Sequence, residues 1–145
     1  MKSSALRTLV SLAVIITLAY FGNVELQSYL GRKAVEDTGF PPRSLEQALA
    51  LARAEDKLVL ADMSAIWCPA CRKLDRVVFA DPAVQAAIRK SYVFTRIEYE
   101  SAEGEAFMDE YDLRGFPTLV ILDADGRLIR ELPVTFDPEQ FRKLI

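Results

Sequence analysis

With 145 residues, 51% of them hydrophobic and 27% charged, the chain is the size of one domain of about 100 residues plus a short appendage, and its composition is neither disordered nor fibrous. A net charge of −3 argues against a nucleic-acid partner, because phosphate binding needs clustered Lys and Arg that no segment supplies. Histidine is absent, which removes imidazole as general base, metal ligand or haem ligand within this chain.

Residues 1–30 read as a targeting or anchoring segment. Lys2 and Arg7 lead into Thr8 to Val24, 17 residues without a charge and rich in Leu, Val, Ile and Ala. That length is at the short end of what spans a bilayer, with Tyr20 and Phe21 suited to the far interface and Lys2 and Arg7 to the cytoplasmic side. No small-x-small cleavage site follows the apolar core. The reading is therefore an uncleaved signal anchor in the inner membrane over residues 8–24, against a removed signal peptide with a secreted soluble form, or a buried core helix. Both leading readings put the rest of the chain on the extracytoplasmic, periplasmic side.

Residues 31–43 read as a linker, closed by Gly39-Phe40-Pro41-Pro42, and the globular domain as residues 44–145. Ser44 and Gln47 form a capping-box pattern, and Leu45, Ala48, Leu49 and Ala52 recur at helical spacing to about Glu55. Leu58 to Met63 reads as a buried strand. A helix starts at the cysteine run, with Pro69 in its first turn and an apolar face of Leu74, Val77 and Val78. It breaks at Phe79-Ala80-Asp81, and Asp81-Pro82 opens a second helical piece through Lys90. Tyr92 to Ile97 is a strand candidate and Glu105 to Tyr111 a short helix. Pro117 to Leu122 and Arg127 to Leu132 flank a turn at Asp123-Ala124-Asp125-Gly126, and a last helix starts at Asp137-Pro138. Parallel pairing through the crossovers, then an antiparallel hairpin, predicts an α/β domain: a mixed four-stranded sheet flanked by helices.

The only two cysteines, Cys68 and Cys71, sit in Trp67-Cys68-Pro69-Ala70-Cys71, between the first strand and its helix. Thiols at this spacing on a first helical turn can close a small disulfide with little backbone movement, and the free N–H groups there favour a thiolate. A reversible dithiol is the functional reading. The alternatives are a structural disulfide, whose short loop constrains the unfolded chain little, and a metal site, for which the usual further ligands are missing. Arg72 after Cys71 excludes the CxxCH haem-attachment motif.

Over about Ser44 to Ile145 these residues resemble the thioredoxin superfamily. The resemblance rests on the Trp67–Cys71 run after a strand, on Asp62 six positions before Cys68, and on Gly115-Phe116-Pro117-Thr118 opening the hairpin. Leu60-Ala61-Asp62-Met63 and Phe79-Ala80-Asp81-Pro82-Ala83-Val84 are most similar to small extracytoplasmic reductases like the carboxy-terminal domain of the membrane electron carrier DsbD. The resemblance implies a thioredoxin-like fold preceded by one N-terminal hydrophobic helix, with Pro117 cis beside the dithiol and the backbone at Phe116 pairing with an incoming peptide. It also implies that Asp62 is the buried acid assisting proton transfer, while Trp67 shields the cleft. Three departures stand out: no opening strand, a short last helix, and Pro-Ala between the cysteines where thioredoxin has Gly-Pro.

The expected chemistry is thiol–disulfide exchange. Cys68 attacks a substrate disulfide, and Cys71 resolves the mixed disulfide. No cofactor is expected beyond the redox-active disulfide Cys68–Cys71, and no metal. The expected partners are disulfide-bearing exported proteins and a membrane electron donor. The competing classes are a disulfide oxidase or isomerase, and a binding module that keeps the fold without exchange.

Overall fold

A computed structural model describes residues 2–145; Met1 and the side chains of residues 2–5, including Lys2 of the anchor reading, lie outside the described residues. Helix α1 runs unbroken over Lys2–Asp37, 36 residues, and includes a stretch long and apolar enough to cross a membrane. Its large apolar side chains from Leu6 to Phe21 are exposed. Beyond Val24 the helix acquires a packed side, with Gly31 and Ala34 buried.

Residues 31–43, expected as a linker, are seated on the domain. The helix continues through Asp37 and ends where Thr38 Oγ1 donates to the Val35 carbonyl and Gly39 takes φ 64°. Phe40 then stacks on Phe94 at 4.5 Å, and Thr95 Oγ1 donates to the Arg43 carbonyl at 2.8 Å. The Gly-Phe-Pro-Pro run does stop the helix, but its phenylalanine finds an aromatic partner on the sheet.

The remaining elements are α2 (Leu45–Glu55), β1 (Leu58–Ser64), α3 (Pro69–Leu74), α4 (Pro82–Ser91), β2 (Tyr92–Glu98), α5 (Ala102–Glu110), β3 (Thr118–Leu122), β4 (Leu128–Leu132) and α6 (Pro138–Leu144). The Ser44–Gln47 capping box opens α2, and Asp81 and Asp137 cap α4 and α6, each with proline in the first turn. After α3 the backbone widens into a π turn over Asp75–Phe79, where Ala80 N–H reaches the Asp75 carbonyl at 2.8 Å. Helix α5 begins three residues before the Glu105 predicted by sequence, because Ser101 Oγ accepts the Gly104 N–H. Gly104 is no helix breaker here: a Cβ at this position would lie 2.2 Å from the Glu98 carbonyl oxygen, so only glycine lets the helix approach β2.

The sheet is mixed and four-stranded, in the order β2-β1-β3-β4. Strands β1 and β2 pair in parallel through α3 and α4. The expected parallel crossover into β3 is not formed; β3 lies antiparallel to β1, with Met63 opposite Thr118. A nine-residue helix rises about 13 Å, little more than half the ~23 Å of a seven-residue strand. The chain therefore reverses after α5, at Asp112 with φ 48°, and re-enters the sheet from the end it left.

Strand β1 is buried on both faces. Val59, Ala61 and Met63 pack against α2 and α5, while Leu60 packs with Leu74, Val78, Phe79, Val84, Ile88 and Phe141 on the other side. Phe79 meets Phe94 and Phe141 edge-on at 5.0 and 5.7 Å. Truncating such a side chain costs about 3–5 kcal/mol. Asp62 and Ser64 share the face of Leu60 by strand alternation, which points two polar groups at the helix carrying the cysteines.

Candidate active site

Strand β1 ends at Ser64, and the turn Ala65-Ile66-Trp67 delivers Cys68 to the N-cap of α3. Cys68 is extended there (φ −74°, ψ 121°), and its Sγ accepts the Cys71 N–H at 3.2 Å. Sulfur thus does what a Ser or Asp oxygen does at an ordinary N-cap, and negative charge developing on it faces an amide donor. Both cysteines are free thiols and both are buried, Cys68 6% exposed and Cys71 1%. Cys68 is the more exposed of the two yet nearly covered, with Trp67 and Phe116 packed on the pair.

Burial pushes the Cys71 thiol up to about 12, reinforced by its hydrogen bond and charge interaction with Cys68; hydrogen bonds from Ser64 and the Ala65 backbone work the other way. Beneath it lies a buried charged group that the sequence showed only in part. Arg96 of β2 places Nη1 2.6 Å from Asp75 and 3.5 Å from Asp62, and its Nη2 donates to Ser64 Oγ at 2.6 Å. Asp62 is pushed up to about 7, mainly by burial and then by the charges of Asp75 and Glu98, with Arg96 opposing. Burial raises Asp75 as well, against its ion pair with Arg96. Glu98 Oε1 accepts the Ile66 N–H at 3.0 Å, pinning the turn before Trp67.

The contacts that join Asp62 to Cys71 run through Arg96 and Ser64. Since Arg96 donates to Ser64 Oγ, the hydroxyl proton is free to point at the Cys71 sulfur. On the opposite side the Phe116–Pro117 peptide is cis, and β3 starts immediately after it. Phe116 meets Trp67 edge-on at 5.4 Å and Tyr99 at 4.8 Å.

The structure brings Cys68, Cys71, Trp67 and Phe116 into one cluster, sets Pro117 on the adjoining loop, and places Asp62 below. Ser64, Asp75, Arg96, Glu98 and Tyr99 were missed. Two signals for them existed: Asp75 lies four residues after Cys71 on the same helical face, and Arg96 and Glu98 alternate in an otherwise apolar strand.

A sheet with helices on both faces, a dithiol capping the helix after its central strand, and a cis-proline loop alongside define a thioredoxin-like protein. Residues 41–124 match the thioredoxin-like family, and the chain belongs to it. It is similar to the thiol:disulfide interchange protein DsbD of Yersinia enterocolitica, 31% identical over 116 residues, which are 79% of this chain and 20% of DsbD. The chain thus spans about a fifth of the length of that relative. Among solved structures it is similar to a putative disulphide-isomerase from Bacteroides thetaiotaomicron, with 30% identity and TM-score 0.63 over 72% of this chain and 86% of that one. The oxidised DsbD C-terminal domain of Neisseria meningitidis is 25% identical with TM-score 0.53, over 65% of this chain and 82% of that domain. The likeness is to thiol–disulfide oxidoreductases.

Proposed function

We propose that this chain is an extracytoplasmic thiol–disulfide oxidoreductase, held in the inner membrane by residues 8–24, that reduces disulfides of exported proteins with the Cys68–Cys71 dithiol. The observation that carries the reading is the pairing of a helix-capping Cys68 with a buried Cys71 served by Ser64 and Arg96.

In the forward step the Cys68 thiolate attacks a substrate disulfide, forming a Cys68–substrate bond and releasing one substrate sulfur as a thiolate that takes up a proton. Trp67 and Phe116 pack on the dithiol, and with Pro117 on the adjoining loop they shape the substrate groove in this reading. Cys71 then loses its proton and attacks Cys68 Sγ. The Cys68–Cys71 disulfide forms, the second substrate sulfur leaves, and two electrons have passed to the substrate. Two of the influences that hold Cys71 protonated come from Cys68, its hydrogen bond and its charge. Both disappear when Cys68 enters the mixed disulfide, so Cys71 ionises more readily at the step that needs it. Asp62, raised to about 7, is the buried acid that takes up that proton in this reading.

The reductive direction is supported by what the site lacks. An oxidant stabilises the thiolate of its attacking cysteine, and no histidine exists here to supply that stabilisation to Cys68. The likeness to a disulphide-isomerase keeps isomerisation as the second reading. Trapping with Cys71→Ser is expected to leave Cys68 in mixed disulfides with exported proteins. Capture of nothing, while the wild type still turns over disulfides, overturns the assignment of roles. The dithiol potential is expected between about −200 and −270 mV; a value near −120 mV marks an oxidase.

A further inference from the structure

The anchor helix and the active site are in contact. Gly31 packs so closely on the turn before the cysteines that a Cβ there would stand 1.9 Å from the Ile66 carbonyl oxygen. Four residues earlier on the same face, Gln27 Oε1 accepts a 2.5 Å hydrogen bond from Arg72 Nη1 of α3. A groove of about 680 Å³ lies between α1, at Tyr20, Asn23, Val24 and Gln27, and the two residues flanking Cys68, Trp67 and Pro69.

These contacts convert chain position into height above a bilayer. If Thr8 to Val24 fills the hydrocarbon layer, Gln27 lies about 4.5 Å and Gly31 about 10 Å further along a helix rising 1.5 Å per residue. The headgroup zone is roughly 5–8 Å deep on each side. Trp67 and Pro69 face residues that straddle this boundary, with Tyr20 across the groove, an aromatic pair suited to an interface. Helix α1 has no break between the apolar stretch and the docked one, so no hinge lets the domain swing away.

We propose that α1 is a rigid stalk that holds the dithiol at headgroup depth. This rests on the oxidoreductase reading above.

The test is a helical insert of eleven residues after Val24, three turns that lift the domain by about 16 Å without rotating it appreciably. In phosphatidylcholine vesicles carrying headgroup-linked maleimide, Cys68 of the full-length Cys71→Ser chain is expected to label at least tenfold faster without the insert than with it. A water-soluble maleimide is expected to label both alike. Equal lipid labelling overturns the stalk. Reduction of a soluble disulfide peptide, read alongside, is expected to be equal in both chains; its absence in both strikes the oxidoreductase reading and leaves the depth measurement standing.

Discussion

Asp62 and Arg96 are register partners across β1 and β2, their charged atoms 3.5 Å apart, and neither Asp62 oxygen has a hydrogen-bond partner among the described residues. Arg96 makes its shorter bond, 2.6 Å, to Asp75. One guanidinium thus serves two buried carboxyls, and Asp62 is the one left short of donors. Burial is the main reason Asp62 is easy to protonate, and the 3.5 Å ion pair with Arg96 only partly opposes it.

The pH dependence of stability follows. Asp62 has a folded-state value of about 7 against an ordinary 3.8, so it binds its proton more tightly folded than unfolded. The stabilisation is fully present below about pH 4 and is lost as pH rises towards 7. Urea denaturation is expected to show wild-type stability falling by roughly 1–4 kcal/mol across that window relative to Asp62→Asn. The variant is expected to be the more stable of the two at pH 8. Parallel curves for the two proteins contradict the assignment.

Removing the guanidinium is expected to be costly. Arg96→Met leaves two carboxyls buried with no counter-charge, a loss of about 3–5 kcal/mol. It is also expected to raise Asp62 further, since Arg96 is the influence holding it down. Asp75→Leu added to Arg96→Met is expected to recover part of the stability, because it removes one of the stranded charges. Chemical denaturation of the two variants measures both effects.

Most of the fold was legible because its signals are local. Ser44, Asp81 and Asp137 cap helices where capping chemistry puts them, and the Asp123–Gly126 turn closes β3 onto β4 with Gly126 at φ 84°. The dithiol, Asp62 and the Phe116–Pro117 loop could be read from spacing and resemblance. Hidden were the features that depend on elements meeting across the sheet. The direction of β3 depends on how far α5 carries the chain, and Gly104 reads as a breaker until its contact with Glu98 is seen. Arg96 and Asp75 lie 21 residues apart and become a pair only once β2 lies beside β1. The seating of α1 on α3 likewise depends on Gly31, which in sequence looks like the end of a helix.

Ser64 carries the next expectation. Its hydroxyl links Arg96 to Cys71, so Ser64→Ala removes a donor to the resolving sulfur and leaves Arg96 Nη2 without its partner. Losing a hydrogen bond to a charged group is worth about 1.5 kcal/mol, or roughly tenfold in rate. Single-turnover release of the mixed disulfide is expected to slow by about that factor, with Ser64→Thr restoring most of it. A slowed release in both variants would assign Ser64 a packing role alone.

Cys71 is held protonated partly by Cys68, and Cys68→Ala removes that hydrogen bond and charge. Its thiolate absorbance is then expected at lower pH than the value of about 12 that describes the reduced dithiol. In the wild type, carboxamidomethylation at mildly alkaline pH is expected to modify Cys68 well before Cys71. Cys71 reacting first reverses the two roles.

Two glycines of α1 provide a matched pair for the docked helix. Gly22 has nothing within 4 Å of the place a Cβ would occupy, whereas at Gly31 that place lies 1.9 Å from the backbone oxygen of Ile66. Alanine raises intrinsic helix stability by about 1 kcal/mol at either position, so propensity alone predicts two slightly more helical chains. The contact predicts different outcomes. At Gly31 either α1 lifts away or the Ile66 turn moves, and Glu98 resists the second by holding the Ile66 N–H. Gly31→Ala is therefore expected to release the helix, speeding amide exchange in residues 25–37 at least tenfold and loosening Trp67 while the sheet amides stay protected. Gly22→Ala is expected to leave exchange unchanged. Equal exchange in the two variants would mean that α1 is tethered to the domain by its chain end alone.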